Sequence, residues 1–106
     1  MTKLSDLKTA DQVHNEMLGD PAYRQEYERT AFAHAVATRI IEFRAAEGLP
    51  QSALARKLGM KQPAVARLES GEHEPSLTTL SRIGHRLGIE FHIDITPSKV
   101  ELRPAG

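Results

Sequence analysis

The stretch QSALARKLGMKQPAVARLESG, from Gln51 to Gly71, constrains the fold more than any other part of this chain. Leu54, Ala55 and Leu58 recur at spacings of three and four, which makes one apolar helical face. Gly59 follows at once, where a residue with positive φ ends a helix without steric cost. From Gln62 to Ser70 the pattern repeats, with Val65 and Leu68 inward and Gly71 closing it. Two helices this short are not stable alone, so each must pack on the other and on further helices. Ala55 suits that crossing, because a small side chain lets the second helix approach.

The outward face of the second short helix carries Lys61, Gln62 and Arg67. Such side chains contact phosphates and the edges of guanine and adenine. The chain carries no net charge, which at first argues against a polyanionic partner. The distribution argues for one. Basic residues number four against six acidic in 1–30, six against two in 31–67, and four against six in 68–106. Positive charge therefore collects around the paired helices, as a phosphate-binding face requires. The acidic flanks weaken non-specific DNA binding or serve a different, basic partner.

The remaining elements follow from local signals. Thr9 with Gln12 forms a capping box opening a short helix that stops at Gly19. Asp20-Pro21 is a second start signal, and nothing interrupts a long helix from Pro21 to Glu47. Its C-terminal part supplies Val36, Ile40, Ile41 and Phe43 to the core, while Tyr23, Tyr27, Ala31 and Phe32 extend beyond it. Those aromatics either pack on the short first helix or form an exposed strip awaiting a partner. Ser76 caps a further helix with Leu77, Leu80, Ile83 and Leu87 on one face, Gly84 allowing close packing and Gly88 ending it. Ile89, Phe91, Ile93 and Ile95 then alternate with polar residues, the period of a strand with one apolar face, and Pro97 ends it. A lone strand must find a partner. Val100 and Leu102 offer a hairpin across Thr96-Pro97-Ser98-Lys99, but three residues make a weak strand. Pairing with the same strand of a second subunit, through Phe91, Ile93 and Ile95, is the more economical expectation.

Enzymatic chemistry finds no support in the pattern. Cysteine is absent, so there is no disulfide framework, thiolate metal site or cysteine nucleophile. Histidines 14, 34, 73, 85 and 92 lack metal-ligand spacing, and no glycine-rich phosphate loop exists. Ser52, His85 and Asp94 make a nominal triad without a nucleophile elbow. No catalytic residue, metal or cofactor is expected. The polar N-terminus and the absence of long apolar runs predict a cytoplasmic protein with no membrane contact.

Gln51, Ala55, Gly59, Val65 and Leu68, with EGLPQ before and PSLTTLSRIGHRLG after, make Ile40 to Leu87 resemble the lambda-repressor-like (Xre) helix-turn-helix family. The resemblance implies a mainly α helix-turn-helix bundle over 31–88, to which the local signals above add an N-terminal helical extension (1–30), a dimerisation strand (89–96) and a tail (97–106). It implies DNA contacts from Gln51, Lys61, Gln62, Pro63 and Arg67, a structural ion pair between Arg44 and Glu69, and a homodimer on a palindromic operator of double-stranded DNA. Two departures stand out. Pro50 and Lys61 occupy positions where that family usually has a Thr or Ser N-cap, so each helix forgoes about 0.5–2 kcal/mol of capping. The acidic extension in so short a chain is similar in architecture to HigA-type antitoxins, which repress their own operon and sequester a small basic toxin of the RelE/HigB ribonuclease kind. That likeness implies toxin contacts at Tyr23, Tyr27 and Phe32. The alternative is a stand-alone or phage-type Xre repressor with no toxin partner.

Overall fold

A computed structural model describes residues 9–103, leaving 1–8 and 104–106 of the expected extension and tail outside the described residues. Five helices precede a two-stranded sheet: α1 (Ala10–Met17), α2 (Pro21–Glu47), α3 (Gln51–Leu58), α4 (Gln62–Ser70), α5 (Leu77–Leu87), β1 (Ile93–Ile95) and β2 (Val100–Leu102). The helix starts obey their local signals. Thr9 Oγ1 accepts from Gln12 N–H at 3.1 Å while Gln12 Oε1 accepts from Thr9 N–H at 2.8 Å, completing the capping box. Asp20 caps α2 through the N–H groups of Ala22 and Tyr23, with Pro21 in the first turn. Thr30 bonds back to Glu26 O at 2.9 Å, and α2 runs through it unbroken. At ~1.5 Å per residue such a helix spans roughly 40 Å, and the molecule measures 56 × 33 × 25 Å.

The core gathers around the C-terminal half of α2. Phe32, Val36 and Ile40 meet Leu54, Ala55 and Leu58 of α3, Val65 of α4, and Leu80 and Ile83 of α5. Ile40, Leu54, Leu58, Val65 and Ile83 are wholly buried, and among the described residues no polar or charged residue is buried. Ala55, the small residue of the α3 face, is 3% exposed within this core. Phe91, Ile93, Val100 and Leu102 cover the flank of this core, so the sheet closes the bundle beside α2. By contrast α1 contributes no buried residue. No helix among the described residues is long and apolar enough to cross a membrane.

Four expectations are corrected here. The strand expected over 89–96 is confined to Ile93–Ile95, because Ile89 and Phe91 are engaged against the core before the ladder begins. Its partner is in the chain itself, since Ile93 pairs with Leu102 and Ile95 with Val100 in an antiparallel hairpin. The turn makes this possible. Thr96 N–H donates to Lys99 O at 2.9 Å and Thr96 Oγ1 accepts from Lys99 N–H at 3.2 Å, so the segment expected as tail returns as β2. Leu77, expected inward, is 67% exposed. Phe32, expected on a partner-facing strip, is 4% exposed and lies in the core. Tyr23 and Tyr27 are four residues apart and share a face, whereas Phe32 sits five beyond Tyr27, about 140° further round the helix.

Candidate nucleic-acid interface

The short helix α4 owes its position to a single buried residue and to a chain of polar contacts. Val65 is wholly buried beneath it, and Leu68 packs on the edge of the core. The turn before it needs Gly59, whose φ of 67° places it in the left-handed region. The end of the helix needs Gly71 for a second reason besides its φ of 68°. A Cβ there would lie 2.5 Å from Nδ1 and 3.3 Å from Cα of His34, so the end of α4 abuts α2 as no other residue could.

Arg44 of α2 reaches this end. Its Nε and Nη2 each donate to Glu69 at 2.9 Å, a bidentate pair, and its Nη1 donates to Leu49 O at 3.2 Å. The Glu69 side chain is 6% exposed and that of Arg44 27%. Hydrogen bonding to Glu69 holds the Arg44 guanidinium above its already high ordinary pKa, so it carries its charge throughout any working pH range. Gln51, in the first turn of α3, extends the chain. Its Nε2 donates to Glu69 Oε1 at 3.2 Å, and its Oε1 accepts from Gln62 Nε2 at 2.8 Å. One connected path therefore runs from α2 through the end of α4 and the start of α3 to the start of α4. Polar contacts thus hold α4 at both ends.

Lys61, Pro63, Ala64 and Arg67, outside this path, are exposed, as is Gln62 at its end. Pro63 lies in the first turn, where its missing N–H breaks no helical bond. Pro50 and Lys61 provide no side-chain cap to α3 and α4, so neither helix start has its backbone donors covered by its own N-cap residue. Those donors and the positive end of each helix dipole suit an anion such as phosphate. Sequence reasoning named Gln51, Lys61, Gln62, Pro63 and Arg67. The structure brings Gln51 and Gln62 into direct contact and leaves Lys61 and Arg67 exposed. Sequence reasoning did not single out Arg82 of α5, which lines with Arg67 a groove of about 440 Å³ bordered also by Met60, His73 and Ser76. Arg82 precedes the buried Ile83 by one position, and that register was the signal available. The other sequence candidates lie apart. Tyr23 and Tyr27 sit on the extension, where the Tyr23 hydroxyl is 2.8 Å from His14 Nδ1 and the His14 ring meets Tyr27 edge-on with centroids 4.5 Å apart.

Comparison with known proteins agrees with this geometry. A family model described as helix-turn-helix matches residues 40–93, about half of the chain. An uncharacterized HTH-type transcriptional regulator of Archaeoglobus fulgidus is 44% identical over 58 residues, which cover 55% of this chain and 77% of that protein. No solved structure gives a significant match. The matched span begins at residue 40, so α1 and most of α2 lie outside it.

Proposed function

Since the chain belongs to the helix-turn-helix family of DNA-binding proteins, we propose that it is a transcriptional regulator that binds its operator through the exposed face of α4. The observation carrying this is the polar path Arg44–Glu69–Gln51–Gln62, which holds the short α4 rigidly while Lys61 and Arg67 face outward. In this reading Arg67 reads base edges, whereas Lys61 and the helix starts at Gln51 and Gln62 meet phosphates, with Pro63 packed against the backbone of the groove. Arg82, across the groove from Arg67, adds a phosphate contact. Two copies bind a palindromic operator, one half-site each. Gel-shift titration against the DNA upstream of its own gene tests this. Binding no tighter there than to random DNA of equal length refutes it.

We further propose that the protein is the antitoxin of a toxin–antitoxin pair, repressing its own operon and neutralising a small basic ribonuclease toxin of the RelE/HigB kind. The supporting observation is the extension outside the family match, where Val13, Met17 and Tyr27 are 40–45% exposed on α1 and the start of α2. The surface assigned to the toxin is therefore Tyr23, Tyr27, Val13 and Met17, with Phe32 withdrawn. A stand-alone Xre-type repressor is the second reading. It is favoured by the His14 ring, which covers part of the tyrosine strip from within the chain. Co-expression with the product of the adjacent reading frame separates the two. A basic partner that co-purifies, and whose RNA cleavage is silenced, supports the antitoxin. Partner and toxicity both absent leave the stand-alone repressor.

A further inference from the structure

The groove of about 440 Å³ between α4 and α5 carries more chemistry than a DNA phosphate needs. Val65 and Ile83, both wholly buried, anchor the helices that form its two walls. Ala64 and Leu68 of α4, with Met60 before that helix and Pro75 in the loop after it, give the groove apolar surface. From α4 comes Arg67, and from α5 come Thr79 and Arg82, which at i, i+3 share one face. Among the described residues neither guanidinium makes a hydrogen bond or an ion pair. Glu74, the one carboxylate lining the groove, pairs with neither. The Thr79 hydroxyl accepts from Ser76 Oγ at 3.0 Å, and its own proton stays free to donate. A backbone phosphate would engage the two arginines and leave the apolar wall unused.

We propose that this groove binds a small amphiphilic carboxylate, an aromatic or medium-chain acid, and that this ligand and the operator exclude each other. The size fits, since pockets for small molecules run from about 300 to 1,000 Å³. So does the lining, which sets a few convergent polar groups against apolar walls. The carboxylate takes the planar forks of Arg67 and Arg82, which match it bidentately, and the Thr79 hydroxyl adds a further donor. The apolar body lies on Met60, Leu68 and Pro75, and its burial supplies the affinity that exposed charges alone do not. Charge selects the head group. Two guanidiniums against the Glu74 carboxylate leave one positive charge in excess, so a monoanion balances the groove and a phosphate dianion does not. Arg67 is the residue assigned above to base edges, so a ligand that holds it abolishes specific reading. The ligand site stands on the groove alone, and only its effect on DNA rests on the operator reading.

The probes are 1-naphthoate and octanoate, titrated into the full chain while its amide resonances are followed by NMR. Both should bind with a Kd of about 1 mM or tighter, moving the amides of Ala64, Leu68, Thr79 and Arg82 and sparing those of α1. Acetate has the head group without the body, and 1-naphthamide the body without the charge. Each should bind at least about tenfold more weakly than naphthoate. Arg67→Gln and Arg82→Gln should each weaken naphthoate about tenfold, and Glu74→Gln should tighten it about threefold. Arg24→Gln removes an exposed cation of α2 outside the groove and should change nothing. In gel shifts on DNA upstream of the gene, naphthoate should raise the apparent Kd for DNA in step with its occupancy, and acetate at equal concentration should not. Acetate binding as tightly as naphthoate, full affinity in both arginine variants, or amide shifts centred on Leu77 and Phe91 overturns the proposal. So does a naphthoate complex that still holds the operator specifically. A chain that takes naphthoate in this groove but binds no DNA upstream of its gene would sink the operator reading and leave the ligand site standing.

Discussion

The helix-turn-helix domain and the N-terminal extension are built from the same material and held in opposite ways. Between Ile40 and Leu87 each helix sends at least one residue to full or nearly full burial, and the polar path from Arg44 to Gln62 ties their ends together. Among the described residues the extension before Phe32 has no buried residue. Its capping box and the contacts of His14 with Tyr23 and Tyr27 hold it. The difference teaches that local signals suffice to start a helix, while burial decides whether its position is fixed. A fixed position is what reading DNA demands. An extension held by a few polar and ring contacts can adapt to a protein partner.

The comparison breaks or sharpens on a graded series. The largest effect belongs to Ile40→Ala, which empties a wholly buried site and should lower stability by about 2–5 kcal/mol in denaturant titration. An equal loss on Val13→Ala would break the comparison, because it would mean that the extension is as tightly built as the core. Glu69→Ala comes next. It leaves the Arg44 guanidinium without its bidentate partner and frees Gln51, so the melting temperature should fall by several degrees and operator affinity should fall with it. An unchanged melting temperature would show that the path is decorative. Arg67→Ala should leave melting unchanged and cost about 1–3 kcal/mol at the specific site, while Lys61→Ala should weaken all sequences alike and lower the salt slope by roughly one. Equal losses on specific and random DNA would take Arg67 out of base reading. The smallest effect is expected of Tyr23→Phe. Loss of its bond to His14 should cost roughly 0.5–1.5 kcal/mol, seen as faster amide exchange in α1 with that of α3 and α4 unaltered.

What was legible in the sequence follows the same division. Caps, glycine turns and apolar periods are local, and Thr9, Asp20, Gly59 and Ser76 mark their boundaries as read. The Xre-like resemblance carried the helix-turn-helix core. The Gln51–Gln62 contact was not legible, because it depends on how α3 crosses α4 and on no spacing within either helix. Neither was the partner of β1. Three residues of β2 are a weak strand alone, and it is the Thr96 turn together with packing of Val100 and Leu102 on the core that makes them sufficient. Phe32 was misplaced because aromatic content was read as a strip, while helical phase carries it to the opposite side.

The bare starts of α3 and α4 set a limit on how this protein can change. A serine or threonine in place of Pro50 or Lys61 would finish the helix from within, and the gain would appear in the free protein. It would also occupy the backbone donors that the operator is proposed to engage. Selection for endurance and selection for grip therefore pull on the same two positions in opposite directions. A lineage pressed towards heat resistance should find its easiest improvements where its control of transcription is most exposed to loss.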